Sequence, residues 1–134
     1  MPSAASTKAA LFPCGLAAES ADLFFTDGEG ASSHLDLEPS KTKVRVLALD
    51  DVLVGVRPTY IKLDIEGFEA EALRGAQKTI ALCKPSLAVC IYHKPEDLWT
   101  LPELVMDLCP ESDLYMRQHG HNGFDTVLYA INRI

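Results

Sequence analysis

Seven consecutive residues, Ser86 to Tyr92, read SLAVCIY and include no charged side chain. A strand that is apolar on both faces must be covered on both, which is the situation of a parallel strand flanked by crossover helices. The preceding segment supplies such a helix. From Gly67 to Cys83, apolar residues fall at Phe68, Ala72, Leu73, Ala76 and Ile80, a stripe of period 3.6 that Lys84-Pro85 ends. Further upstream, Thr59 to Leu63 reads as a strand running into Asp64. Strand, helix and strand in that order predict a parallel crossover and an α/β chain.

The remaining segments extend this frame. Thr100 and Glu103 have the spacing of a capping box, and Leu101, Leu104, Val105 and Leu108 mark one helical face. Asp113 to Gln118 and Phe124 to Asn132 read as two strands, joined by the short loop from His119 to Gly123 and therefore antiparallel. In the first half, Lys8 to Cys14 is an apolar run predicting a strand, and Ala21 to Phe25 predicts another. The polar, glycine-containing stretch from Asp27 to Ser40 reads as a loop. Lys43 to Leu47 alternates as a half-exposed strand that should pair with Ala21–Phe25, and Asp50 to Leu53 predicts one helical turn before Gly55. The 134 residues suit a single domain over 1–134, with N-terminal strands and a loop in 8–58 and the more regular half in 59–134.

Charge and cysteine usage exclude several classes. With 12 Lys and Arg scattered singly and a formal charge of −7, no basic patch for nucleic acid is present. No stretch approaches the ~20 apolar residues of a membrane span, and Met1 to Ala10 lacks the apolar segment of a secretory signal. A soluble, cytoplasmic protein is expected. Cys14, Cys83, Cys90 and Cys109 form no CxxC pair, and reduced, buried thiols are the expectation.

The stretch YIKLDIEGFE from Tyr60 to Glu69, followed by ALRGA from Ala72 to Ala76, resembles the signature of the FkbM methyltransferases. VLALDD from Val46 to Asp51, KPSL from Lys84, IYH ending at His93 and TVLYA from Thr126 to Ala130 are similar to other parts of that family's pattern. The resemblance covers most of the chain from about Lys8. It implies a Rossmann-like methyltransferase sheet, truncated, mixed and mostly parallel, with a C-terminal antiparallel hairpin. It also implies S-adenosylmethionine as cofactor and a hydroxyl of a sugar or secondary metabolite as substrate. The family's glycine-rich first strand and the acid that ends its second strand have no counterpart here; Gly28-Glu-Gly30 lies in the polar stretch. By this resemblance the chain starts near the family's third strand, leaving an edge beside Thr59–Leu63 that a second copy could cover in a homodimer. Two readings result: an O-methyltransferase or part of one, and a non-catalytic binding or oligomerisation module derived from one.

Candidate site residues follow from the sheet. Ligands of doubly wound sheets sit at the carboxyl ends of strands, which selects Asp64 and, after the next strand, His93, as groups able to orient or deprotonate a substrate hydroxyl. Glu66 and Glu69 follow Asp64 into the turn and first helical turn, where they could instead serve the helix dipole or cap. The three acids could hold a divalent cation, but no histidine is near them in sequence, and no metal is assigned. Cys14 and Gly15, at the end of the first strand, are the candidates for cofactor contact that the resemblance implies. Lys62 is expected to pair with Asp64 or Asp51 as a buried strand lysine, His119 and His121 to sit in an exposed turn, and Gly75 to let its helix approach the sheet. Tyr92 and Trp99 are read as packing residues.

Overall fold

The structure is a computed structural model that describes residues 9–25, 35–36 and 42–133. Two mixed four-stranded sheets are formed. The first contains β1 (Gly15–Leu16), β2 (Ala21–Phe25), β3 (Leu35–Asp36) and β4 (Thr42–Leu47) in the order β1-β4-β2-β3. After the short helix α1 (Leu49–Val52), the second contains β5 (Tyr60–Leu63), β6 (Ser86–Cys90), β7 (Ser112–Gln118) and β8 (Thr126–Asn132) in the order β5-β6-β8-β7. Helices α2 (Glu69–Arg74) and α3 (Gln77–Cys83) connect β5 to β6, and α4 (Asp97–Leu108) connects β6 to β7.

The crossover expected from residues 59–92 is present, with β5 and β6 parallel and Leu63 opposite Val89. Parallel pairing recurs between β1 and β4; the other pairs are antiparallel, including the β7–β8 hairpin. β6 is buried along Leu87–Cys90, as its uniform apolar sequence requires, with β5 on one side and β8 on the other. Leu63, Leu73, Ile80, Leu87, Ile91, Leu101 and Val105 make the main core, against which Leu16 and Leu49 also pack. β5 is the outermost strand of its sheet among the described residues. Among those residues no helix is long and apolar enough to cross a membrane.

Several boundaries differ from expectation, each for a physical reason. The run ending at Cys14 is not a strand over its described part: Pro13 has no N–H for a ladder, Leu11 and Phe12 are exposed, and pairing starts only at Gly15. Most of Asp27–Ser40, and Lys8, lie outside the described residues; Leu35–Asp36 pairs antiparallel with the end of β2. β2 and β4 pair as expected, from Ala21↔Val46 to Phe25↔Thr42.

The continuous helix expected over Gly67–Cys83 is broken at Gly75 and Ala76. Gly75 packs so closely on the chain after β1 that a Cβ there would lie 2.1 Å from the Ala17 carbonyl oxygen. Asp50 then takes the place of a local cap for α3, its carboxylate accepting the N–H groups of Thr79 at 2.8 Å and Lys78 at 3.0 Å. Partial burial pushes the Asp50 carboxyl up, but these donated hydrogen bonds outweigh it and hold the group below its ordinary range. Helix α4 starts three residues before Thr100, whose hydroxyl donates back to the Glu96 carbonyl instead of capping.

Candidate functional site

β5 delivers Asp64 at its carboxyl end, and the chain then reverses sharply into α2. Glu66 and Gly67 both have positive φ, 56° and 92°, so the turn uses two successive left-handed residues. Only at Gly67 is that conformation free of strain, and Lys94 closes over it, donating from Nζ to the Gly67 carbonyl at 2.6 Å. Lys94 Nζ also stands 6.0 Å from the centre of the Phe68 ring. Glu69, the first residue of α2, turns its carboxylate back toward the strand and accepts the Ile65 N–H at 2.9 Å. Glu66 instead projects outward, with its side chain 88% exposed.

The parallel register brings the end of β6 alongside. Ile91 donates its N–H to the Thr126 carbonyl, and the chain continues into Tyr92 and His93. His93 faces all three acids: Nε2 is 3.4 Å from Asp64 Oδ1 and 3.7 Å from Glu66 Oε2, while Nδ1 is 2.9 Å from Glu69 Oε1. Its side chain is 8% exposed and that of Glu69 1% exposed. The Nδ1 approach to Glu69 lacks the alignment of a hydrogen bond, so both imidazole nitrogens and Glu69 Oε2 are buried without a hydrogen-bond partner.

Neighbouring groups register this environment. The Tyr92 hydroxyl reaches Asp64 Oδ1 at 3.4 Å, and its ring stacks obliquely on His93 with centroids 4.3 Å apart. Burial, with the negative charge of Asp64 adding to it, pushes the Tyr92 phenol up to about 12 and the Cys90 thiol up to about 11. Burial also raises the Asp97 carboxyl; the Lys94 N–H opposes this and the Glu69 charge reinforces it. The four candidate residues Asp64, Glu66, Glu69 and His93 therefore converge on one electronegative corner.

Cys14 and Gly15 lie elsewhere, on a cavity of about 760 Å³ between the first sheet and the turn after β5. Leu16, Val46, Ile65 and Phe68 line it as well, so the cavity borders the turn that carries Glu66 and Glu69. Lys62 stands 3.9 Å from Asp64, as expected of the pair, but its side chain is 59% exposed; β5 shows this face to solvent, so the lysine is not a buried one. His119 contacts the Tyr129 hydroxyl at 2.9 Å, and His121 is exposed in the hairpin turn. Trp99 is 56% exposed on α4 rather than packed in the core. Local sequence carries no signal for the His93–Glu69 approach, because it depends on the β5–β6 register; the clamp that Lys94 makes on the acidic turn depends on that register too.

Residues 4–122 match the family model of the methyltransferase FkbM domain. The fold is similar to the crystal structure of methyltransferase FkbM from Methylobacillus flagellatus, with a TM-score of 0.69 and 30% sequence identity over 87% of this chain. The chain spans 27% of that protein's length. No curated protein matches the sequence.

Proposed function

The chain belongs to the methyltransferase FkbM domain family, and from that membership we propose that it forms the acceptor side of an S-adenosylmethionine-dependent O-methyltransferase site. The observation that carries this reading is the convergence of Asp64, Glu66 and Glu69 with His93 where two parallel strands end. The acceptor is a hydroxyl of a sugar or secondary metabolite.

The 760 Å³ cavity has the size of a small-molecule site, and its apolar wall at Cys14, Gly15 and Leu16 fits a purine ring. Glu71 is the one charged side chain on that wall among the described residues, so the cofactor's ribose and amino-acid ends need donors and acceptors from beyond these residues. When bound, S-adenosylmethionine supplies an electrophilic methyl group, which passes to the acceptor oxygen and leaves S-adenosylhomocysteine. The chain's own residues position and deprotonate. Asp64, 39% exposed and open to the rim, accepts the acceptor's hydroxyl hydrogen bond and takes its proton, which passes on to His93 Nε2 3.4 Å away. Glu69 and Asp64 on either side of the ring stabilise the imidazolium so formed. Alignment of oxygen and methyl supplies most of the acceleration in such a displacement.

A second reading is favoured by the outer edge of β5, which has no neighbouring strand among the described residues. Covered by a second copy in a homodimer, this edge would make the chain a binding or oligomerisation module of methyltransferase descent. Calorimetry with S-adenosylmethionine separates the two. Micromolar binding is the result expected of the site; a folded chain that binds no cofactor leaves the module reading. Light scattering during size-exclusion gives the oligomeric state, and a monodisperse monomer sinks the homodimer.

A further inference from the structure

We propose that Asp64, Glu69 and His93 are the ligands of a divalent transition-metal cation. Each offers one donor atom, and these atoms lie within 4.8 Å of one another. With metal–ligand bonds of about 2.0–2.2 Å, donors of one tetrahedral ion are separated by about 3.3–3.6 Å. The 3.4 Å from His93 Nε2 to Asp64 falls in that interval, whereas the 2.9 Å approach of Glu69 is to the other nitrogen, Nδ1, so a single ion takes one of these nitrogens and the 4.8 Å limit bounds the full set. Drawing a pair at the 4.8 Å limit into the upper end of that interval takes about 1.2 Å of side-chain adjustment.

Two observations beyond proximity point to a cation. Glu69 Oε2 and both nitrogens of His93 are buried with no hydrogen-bond partner, although buried polar groups nearly always have one. With the carboxylate ionised and the imidazole neutral, Glu69 Oε2 and one of the two His93 nitrogens carry free lone pairs, which is the state a metal requires. The surroundings also fix the donors. The Ile65 N–H holds Glu69 Oε1, the Tyr92 ring covers one side of His93, and Lys94 locks the turn through the Gly67 carbonyl. Glu66, 3.7 Å from His93 Nε2 and free in solvent, is placed to swing in as a fourth ligand or to leave that position open.

One imidazole with two carboxylates selects Zn²⁺, Mn²⁺, Fe²⁺ or Co²⁺ over Ca²⁺, which takes oxygen ligands in larger number. The catalytic consequence rests on the methyl-transfer reading. An acceptor hydroxyl on the open position of the cation would ionise more easily, and its proton would pass to Glu66 or solvent, relieving His93 of that task.

The test titrates the metal-free chain with Co²⁺, following its visible absorption and the heat of binding. Expected are one ion per chain with micromolar affinity, competition by Zn²⁺, and at least a tenfold loss of affinity in both Asp64→Asn and His93→Ala. Asp64 is solvent-accessible, so Asp64→Asn retains the fold by circular dichroism even if His93→Ala does not. His121→Ala should leave binding unchanged. Absence of Co²⁺ binding by the folded wild type, or binding that Asp64→Asn leaves intact, overturns the assignment. Cofactor calorimetry with and without the ion keeps the two readings apart: an ion bound without S-adenosylmethionine sinks only the methyl-transfer reading, and the reverse sinks only the metal.

Discussion

Replacing Gly75 by alanine isolates the contact that breaks the helix between β5 and β6. The new Cβ would lie 2.1 Å from the Ala17 oxygen, 3.1 Å from the Ala17 carbonyl carbon and 3.2 Å from Ala48 Cα, whereas ordinary contact begins at 3.4 Å. Backbone must therefore move by 1.3 Å (3.4 minus 2.1). Both sides are pinned: Ala17 donates to the Leu47 carbonyl at 3.1 Å, and Asp50 donates to the Gly75 carbonyl at 2.8 Å. Overpacking of this kind costs about 1–3 kcal/mol, and loss of one pinning hydrogen bond adds about 1 kcal/mol. Alanine recovers about 0.4–1 kcal/mol through the unfolded chain, because φ −73° and ψ −3° suit any L-residue. The net expectation is a loss of about 1.5–3 kcal/mol. Urea unfolding reads it directly: with a slope near 2 kcal/mol/M, the midpoint falls by about 1 M. An unchanged or raised midpoint at constant slope would refute the close-approach argument, since without the contact the unfolded-chain effect alone would favour alanine at this position.

Asp50→Ala removes the acceptor for the first N–H groups of α3 and should cost about 0.5–2 kcal/mol at neutral pH, measured by urea unfolding. Because the folded-state Asp50 carboxyl sits below its ordinary 3.8, this contribution is complete above that value and disappears as pH falls through the lower folded-state value; wild type and Asp50→Ala should converge in strong acid. Cys90 and Cys109 are buried free thiols, and burial raises both, Cys90 to about 11, so iodoacetamide at pH 8 should label them only on unfolding. Modification of Cys90 in the native chain, located by peptide mass mapping, would contradict its placement beneath Asp64.

The second sheet was readable because its signals are local. SLAVCIY has no polar face to expose, and it became a strand buried along Leu87–Cys90. The stripe from Phe68 to Ile80 gave the right period but hid the interruption, since nothing in a helical pattern tells which residue will meet a distant carbonyl. Thr100 and Glu103 matched a cap in spacing, yet the chain turned helical three residues sooner, where Asp97 accepts the Lys94 N–H at 3.2 Å. In the first half the apolar run ending at Cys14 misled because hydrophobicity outweighed the proline within it. The site divides in the same manner. Asp64, Glu66 and Glu69 cluster by adjacency in sequence and could be found from it; the burial of His93 among them follows from strand register, and the local residues do not carry it.

A four-residue strand at the end of a sheet has limited capacity to recruit another. Alternate residues of β5 already face β6, so Tyr60–Leu63 leaves about two donors and two acceptors outward. At roughly 1 kcal/mol each, four such bonds contribute about 4 kcal/mol, no more than the least that association costs. Any polypeptide seated there must bury apolar side chains of its own at the same time. Selection at this margin would thus be made by volume and shape, with main-chain pairing setting only the direction of approach.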